Sequence, residues 1–254
     1  MDSIRLKTER DLQFLRISGK ILSRTLSLLK NEAKVGVSLK HLDDLARAFI
    51  KDEGAIPTFL GYKPDGAGKP YPATICASVN DTIVHGIPGN YVLKDGDILS
   101  IDLGVTFDGY ITDAAITVPV GEISKDAWRL ISATEKSLQN AIHECFPGNT
   151  LGDIGYAVES VAKQAGVSVV EGLTGHGVGF ELHEDPSVFN KGKKGSGMKL
   201  KPGMVIAIEP MFSLGSPYAT IARDDSFKTK DKSLSAHFEH TIAITEKGYE
   251  VLTA

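Results

Sequence analysis

The sequence predicts an α+β fold made of two similar halves. Two pairs of amphipathic helices, at residues 8–54 and 124–166, are each followed by short alternating or β-branched stretches that are typical of strands. A shift of 112 residues aligns the two helix pairs, so that Gly36 matches Gly148. We therefore interpret residues 1–254 as a single domain with an internal duplication, whose halves are approximately 1–120 and 121–254.

Helix boundaries follow from residues that can cap a helix. Thr8 and Asp11 resemble a capping pair at the start of the first helix. A glycine, Gly166, is placed to end the last one, because glycine accepts the left-handed conformation found there. The predicted helices span residues 8–30, 38–54, 124–146 and 150–165, with Thr8, Ser38, Ser124 and Thr150 as N-caps.

Strands and loops are indicated by β-branched runs and by clusters of glycine, proline and aspartate. The predicted strands are Thr74–Val79, Ile98–Phe107, Tyr110–Val118, Val167–Val170, Met204–Ile208 and Phe238–Thr245. The predicted loops are Tyr62–Pro72, Lys191–Gly197 and a long irregular insertion at Gly215–Asp231.

Composition is that of an ordinary globular protein, with 254 residues, 42% of them hydrophobic and 24% charged. A net charge of -4 gives no reason to expect nucleic acid or an anionic membrane as the main partner. We find no secretory signal and no apolar run of about 18 residues, so no membrane insertion is expected. The two cysteines, Cys76 and Cys145, lack the spacing of a disulfide or zinc framework, which favours the cytoplasm.

A predicted hairpin carries the first chemical signal. Asp108-Gly109 is a strong two-residue turn, and it places Asp102 opposite Ala115. Asp113 then projects from the same face as Asp102, with backbone positions about 7–8 Å apart. Two carboxylates that face each other in an apolar hairpin resist ionisation unless a cation lies between them. The pair therefore predicts a divalent metal.

The second half supplies further ligands of suitable type: His176, Glu209 and Glu239. His176 lies among glycines, while the two glutamates follow or interrupt apolar strands, where a charge is buried only if it is paired. Together with the two aspartates they suit a pair of manganese, iron, cobalt or zinc ions. Such a pair would generate hydroxide near neutral pH and polarise a carbonyl, which indicates hydrolysis. His85 and His183 would then hydrogen-bond the substrate and the developing oxyanion.

Six motifs in this order resemble those of type I methionine aminopeptidases: Asn80–Pro88, Asp102 with Asp113, Gly175–Gly177, His183–Pro186, Glu209–Met211 and Phe238–Thr241. The resemblance covers nearly the whole chain. It implies the pita-bread (creatinase/aminopeptidase-like) fold, with two pseudo-twofold-related halves, a central antiparallel sheet and flanking helices. It also implies that residues 1–254 form a single catalytic peptidase domain.

The implied activity is removal of the initiator methionine from nascent proteins and peptides, with a preference for small second residues. In the family a metal-bridged hydroxide attacks the first peptide bond. The resemblance implies that Glu209 shuttles the proton, while His85 and His183 contact the scissile peptide and stabilise the tetrahedral intermediate. Two divalent ions, cobalt, manganese, iron or zinc, are expected at Asp102, Asp113, His176, Glu209 and Glu239.

The resemblance also implies an apolar pocket for the methionine side chain, at Tyr62, Tyr71, Cys76, Leu182 and Phe227. Phe59 and Lys63 differ from the residue types expected at the pocket mouth, and Lys63–Lys69 is interpreted as an insertion. In some relatives the positions of Asn80 and Ser235 help to hold a monovalent cation, which we expect here as well.

The expected partners are nascent polypeptide N-termini, met at the ribosome, and the expected state is a cytoplasmic monomer of the short bacterial or organellar form. No sequence-specific nucleic acid is expected. Two alternatives stay open. The first is a hydrolase of the same fold that cleaves beside proline, against which His85–Pro88 and the absence of a separate N-terminal domain argue. The second is a noncatalytic binding module, which would be expected to have lost metal ligands.

Overall fold

The computed structural model describes residues 4–63 and 68–254, so most of the Lys63–Lys69 stretch lies outside the described residues. The helices are α1 (Glu9–Glu32), α2 (Leu39–Asp52), α3 (Lys125–Ile142) and α4 (Leu151–Ala165). Strands before α3 are β1 (Ile56–Pro57), β2 (Cys76–Val79), β3 (Thr82–Val84), β4 (Ile98–Phe107) and β5 (Tyr110–Pro119). Strands after α4 are β6 (Ser168–Val169), β7 (Gly175–Gly177), β8 (Glu184–Val188), β9 (Val205–Ile208), β10 (Met211–Ser213), β11 (Ala219–Ile221), β12 (Phe227–Thr229), β13 (Ser235–His237), β14 (His240–Thr245) and β15 (Gly248–Val251).

The predicted helix starts are confirmed. Thr8 and Asp11 form a capping box at α1, and Ser38 and Ser124 each accept a hydrogen bond from a backbone amide in the first turn of their helix. Helix α3 is shorter than predicted, because Glu144 and Cys145 form a tighter turn with i to i−3 hydrogen bonds. Pro147 comes next and disfavours the helical conformation in the residue before it.

The β4–β5 hairpin has the predicted register. Asp108 and Gly109 both have positive φ, of 48° and 83°, as a tight hairpin turn requires. Asp102 lies opposite Ala115, and Asp113 lies opposite Gly104, so the two carboxylates are diagonal neighbours on one face. Strands β1 and β2 pair side by side along the other edge of β4. The outer edge of β4 in the hairpin is thus paired along most of its length.

The second half is built around a five-stranded antiparallel sheet in the order β15-β14-β9-β7-β8. Helices α3 and α4 pack on one face of it, where they share a buried core with residues such as Ile206 and Ile242. Helices α1 and α2 similarly share a core with Leu99, Ile101 and Leu103 of β4. Burial of these apolar faces is the main stabilising contribution to such layers. Asp102 lies on the opposite face of β4 from Ile101 and Leu103, because alternate residues of a strand point to opposite faces.

Two predictions about the second half are corrected. Gly215–Asp231 is not irregular, since β11 and β12 form a hairpin there and β12 pairs with β3. The strands are only three residues long, and short strands give a weak alternation signal. Glu239 lies between β13 and β14 rather than within a strand, and it forms an isolated bridge with Ala115.

That bridge joins the two halves. The amide of Glu239 donates to the Ala115 carbonyl at 2.9 Å, and the Thr241 hydroxyl lies 2.9 Å from the Asp113 amide and 2.7 Å from its carbonyl. The edge of β5 therefore runs directly beside the segment that leads into β14. Within the two described stretches, no helix is long and apolar enough to cross a bilayer.

Candidate active site

Five acidic and histidine side chains from both halves converge where β5 meets the second sheet. Asp102 comes from β4 and Asp113 from β5, while Glu209 directly follows β9. His176 lies at the centre of β7, and Glu239 is the bridge residue just before β14. All five are the metal-ligating residues that the sequence predicts, brought together from positions up to 137 residues apart.

The imidazole of His176 is oriented by its own strand. Its Nδ1 lies 2.8 Å from the Gly177 carbonyl, so Nδ1 carries the proton and Nε2 keeps a lone pair. Nε2 lies 3.4 Å from Glu209 Oε1 and 3.9 Å from Asp113 Oδ2. Donor atoms of Asp113, His176 and Glu239 all lie within 4.8 Å of one another. This is a donor set that can enclose a cation.

Glycines flank His176 because neighbouring backbone leaves no room for a side chain. A Cβ at Gly175 would lie 2.3 Å from the carbonyl oxygen of Ala207, and one at Gly177 would lie 2.3 Å from that of Asp185. The two glycines let β7 fit between β9 and β8, which fixes the position of the histidine.

The carboxyl groups are buried and perturbed. Burial raises the pKa of Asp113 to about 7. The pKa of Asp102 is raised by burial and then by the nearby Asp113 carboxylate, and the pKa values of Glu209 and Glu239 are raised by the same two causes. These groups resist ionisation only while no positive charge is close.

Several buried polar atoms of this cluster have no hydrogen-bond partner among the described residues: Asp102 Oδ1, Asp113 Oδ1, Glu239 Oε1 and both ring nitrogens of His237. Buried polar atoms without partners are rare, since each costs free energy. A divalent cation would satisfy the carboxylate oxygens and Nε2 of His237 and would balance the converging negative charge. The residues therefore fit a metal centre with ligands of mainly carboxylate type.

His237 was not identified from the sequence. It ends β13, is 1% exposed, and its Nε2 lies 3.7 Å from a carboxylate oxygen of Glu209 and 3.7 Å from one of Glu239. The sequence did hold a signal for it. His237 lies two residues before Glu239, and alternate residues share a face of a strand.

His85 and His183 lie beside the carboxylate cluster and are both exposed. The His183 ring contacts that of His176, with centroids 4.6 Å apart, and its Nδ1 lies 2.7 Å from the Tyr62 hydroxyl. The His85 ring contacts Phe227 edge-on at 5.5 Å. Both imidazoles are thus held by neighbours while their surfaces stay accessible to a substrate.

An apolar cluster lies next to this site. It contains the buried Phe59, Cys76 and Leu182, with Tyr62, Tyr71 and Ile111 packed against them. Cys76 lies directly opposite Asp102 in the β2–β4 pairing, which places the cluster beside the carboxylates. Phe59, which the sequence places at the pocket mouth, belongs to this cluster, whereas Ile111 was not named from the sequence. Phe227 belongs to a different apolar cluster with Val84 and Met211.

Asn80 and Ser235 also meet. Asn80 has a φ of 54°, and its carbonyl accepts hydrogen bonds from both the amide and the hydroxyl of Ser235, at 2.8 and 3.1 Å. The Ser235 hydroxyl further lies 2.9 Å from the Thr82 carbonyl. Two backbone carbonyls and a hydroxyl thus cluster at this point.

Comparison with known proteins agrees with this architecture. A family model described as metallopeptidase family M24 matches residues 13–246. The chain belongs to metallopeptidase family M24. It is 48% identical over 248 residues to methionine aminopeptidase 1 of Bacillus subtilis, which covers 97% of this chain and 98% of that one. M24 membership makes the protein a metal-dependent hydrolase and implies a divalent metal, which these carboxylate and histidine groups could hold.

Solved structures of M24 proteins confirm the predicted pita-bread fold. The crystal structure of methionine aminopeptidase from Rickettsia prowazekii matches with a TM-score of 0.95 and 39% identity, covering 99% of this chain and 100% of that one. Prolidase from Pyrococcus furiosus matches with a TM-score of 0.77 and 22% identity, covering 98% of this chain but 65% of that one. The likeness to the prolidase concerns the fold alone.

Proposed function

We propose that this protein removes the N-terminal methionine from nascent proteins and peptides, with a preference for small second residues. The observation that carries the proposal is the position of the apolar cluster of Phe59, Cys76 and Leu182 beside the five converging ligands. An exopeptidase needs both features: a site that hydrolyses a peptide bond and an adjacent pocket that holds the first side chain.

The proposed centre holds two divalent ions at Asp102, Asp113, His176, Glu209 and Glu239. When bound, such ions supply a nucleophile from water at neutral pH and polarise the scissile carbonyl. The buried carboxylates contribute the negative charge that retains the ions. Cobalt, manganese, iron and zinc all suit this donor set.

Proton transfer is assigned to Glu209. Glu209 directly follows the last residue of β9, so the strand holds its backbone rigidly. Pro210 has no amide to donate, so the strand pairing ends there. We assign to one oxygen the acceptance of a proton from the attacking water and its delivery to the leaving amine. A positioned carboxylate of this kind serves as base and then as acid.

His85 and His183 are assigned to the scissile peptide. Because the Tyr62 hydroxyl engages Nδ1 of His183, Nε2 is the nitrogen left to face the substrate. Donation from such a nitrogen stabilises the oxyanion of the tetrahedral intermediate. His85 is held against Phe227 and sits on a loop whose Gly86 packs on β2, since a Cβ there would lie 2.4 Å from the Ala77 carbonyl oxygen.

The methionine side chain is assigned to the pocket of Tyr62, Tyr71, Cys76 and Leu182, extended by Phe59 and Ile111. The Tyr71 hydroxyl donates toward the carbonyls of Ile75 and Gly86, at 3.0 and 2.9 Å, so that its ring is fixed. Phe227, which contacts His85, is assigned to the side of the second substrate residue. Rigid walls on that side would favour small second residues.

We further propose a monovalent cation at the carbonyls around Asn80 and Ser235, action as a monomer in the cytoplasm, and encounter with new chains at the ribosome. The carbonyl cluster supports the cation, because oxygen ligands suit hard ions. Two buried free cysteines, Cys76 and Cys145, support a reducing compartment.

The test is release of free methionine from Met-Ala-Ser by chelator-stripped protein, before and after addition of manganese, cobalt, iron or zinc. Met-Lys-Ser tests the second residue, Leu-Ala-Ser tests the pocket, and an Xaa-Pro dipeptide tests the alternative that the shared fold allows. We expect metal-dependent release that is fastest with Met-Ala-Ser. Faster cleavage of the Xaa-Pro substrate would overturn the proposal, and metal binding without any cleavage would favour a binding module.

A further inference from the structure

One buried histidine of the metal centre is not used by the proposed reaction. His237 is 1% exposed, and its ring lies among the carboxylates rather than among apolar residues. The distances from its Nε2 to Glu209 Oε2 and to Glu239 Oε2 are both 3.7 Å. The nitrogen is therefore centred between two of the five ligands.

These distances are too long for hydrogen bonds, which join nitrogen and oxygen at about 2.7–3.2 Å. Among the described residues, neither ring nitrogen of His237 has a hydrogen-bond partner. A neutral imidazole with both nitrogens unsatisfied in a buried site is costly. A cation between the imidazole and the carboxylates would satisfy Nε2 and both oxygens.

The spacing suits a shared cation. Metal bonds of about 2.0–2.2 Å to two donors place those donors roughly 3.0–3.4 Å apart, a few tenths of an ångström closer than the observed distances. Donor atoms of Glu209, His237 and Glu239 all lie within 4.8 Å of one another. A second group with the same spread contains Asp113, His176 and Glu239. Each group has one imidazole, and Glu239 belongs to both.

We propose that His237 is a sixth protein ligand of the metal centre and binds through Nε2 the ion that Glu209 and Glu239 share. The inference rests on the two-ion centre of the proposed function. His176 then provides the nitrogen ligand of the other group. Each ion has one imidazole and at least two carboxylates.

A second imidazole changes which metals the centre prefers. Imidazole suits zinc, iron and nickel, whereas sites with oxygen ligands alone suit manganese and magnesium. Replacement of His237 by glutamine, which is similar in size but offers an amide, should therefore weaken zinc binding more than manganese binding. We expect the zinc dissociation constant to rise at least about tenfold.

The direct experiment uses full-length protein labelled with ¹⁵N-histidine and loaded with ¹¹³Cd. A bond between the ion and a ring nitrogen splits that nitrogen resonance by scalar coupling. We expect two split histidine resonances in the wild type, one in His237→Gln, and two in the control His143→Gln. His143 is exposed at the end of α3 and contacts Tyr249, away from the ligands.

One split resonance in the wild type, or two in His237→Gln, would overturn the proposal and leave His237 as a neighbour that acts only on the carboxylates. The wild-type spectrum decides this even if the glutamine variant fails to fold, which its thermal melting reports. Metal ligation and methionine release are read separately. Two split resonances without methionine release would leave this inference standing while the proposed function fails.

Discussion

The ammonium group of Lys7 forms a buried ion pair with Glu184, the residue that directly follows His183. Lys7 Nζ lies 2.6 Å from Glu184 Oε2, and the two side chains are 2% and 4% exposed. The other carboxylate oxygen, Oε1, accepts hydrogen bonds from the amides of Phe180 and Glu181 at 2.6 and 3.0 Å. The segment before α1 thus anchors the loop that presents His183.

Removal of Lys7 should be strongly destabilising. In Lys7→Met the buried Glu184 carboxylate keeps only a 3.5 Å contact with the exposed Arg5, and loss of a buried partner typically costs about 3–5 kcal/mol. Burial also lowers the pKa of Lys7 despite the adjacent carboxylate, so the pair itself carries a desolvation penalty. Chemical denaturation measures the loss. Lys40→Met, which breaks an exposed ion pair with Asp44, should cost less than about 1 kcal/mol.

The double variant Lys7→Met with Glu184→Gln separates charge from packing. Glutamine keeps a carbonyl oxygen for the two amides but needs no cation. The double variant should therefore recover part of the stability that Lys7→Met loses. If it is no more stable than the single variant, an unpaired charge does not explain the loss.

His183→Ala should retain metal but lose activity. Loss of an oxyanion donor costs about 2–4 kcal/mol in the transition state, which corresponds to a fall in kcat/KM of about 30- to 1,000-fold. Tyr62→Phe removes the hydroxyl beside Nδ1 while it keeps the ring, so its effect should be smaller. Metal analysis and steady-state kinetics check both. Unchanged turnover in His183→Ala would contradict the assigned role.

Asp102→Asn should weaken metal retention itself, because ligand charge holds the ions. Metal analysis after dialysis against a weak chelator measures the effect. Asp108→Asn is a matched control, since it makes the same substitution in the exposed turn of the same hairpin, where Asn also accepts the positive φ. A fully metallated Asp102→Asn protein would contradict the ligand assignment.

Metal-free protein should become less stable as the pH rises. Burial raises the pKa of Asp113 from 3.8 to about 7, so between these values the folded state binds more protons than the unfolded state. Stability then falls as the pH increases through about 5 to 7. Metal, which binds the ionised carboxylates, should reverse this trend and release protons on binding.

Thermal melting of chelator-stripped protein across this pH range, with and without added manganese, checks the trend. Asp113→Asn lacks this titrating group, so the melting temperature of its metal-free form should fall less steeply as the pH rises. A melting temperature of the stripped wild type that rises from pH 5 to pH 7 would show that the cluster does not hold extra protons.

The sequence predicted best what depends on local chemistry. The Asp108-Gly109 turn set the register of Asp102 against Ala115, because a two-residue turn allows one pairing. Capping residues located the helix starts, because a cap side chain bonds to a backbone amide only three residues away. The β11–β12 hairpin was missed, since its strands are short and one of them pairs with β3, more than 140 residues earlier.

Site features made by distant packing were also beyond the sequence. His237 faces Glu209 only because β13 and the end of β9 meet in space. Lys7 precedes the first helix by two residues and gave no signal of its contact with Glu184, 177 residues away. The family resemblance named the five acidic and histidine residues that converge, but it did not include Ile111 in the apolar cluster.

The bridge between Ala115 and Glu239 brings the two halves of the chain together at the carboxylate cluster. Asp102 and Asp113 belong to the first half of the chain, and His176, Glu209 and Glu239 belong to the second. Neither half alone supplies enough of these side chains to hold two metal ions. Metal bound by these residues would cross-link segments that are distant in sequence, so its removal should loosen the contact between the two halves.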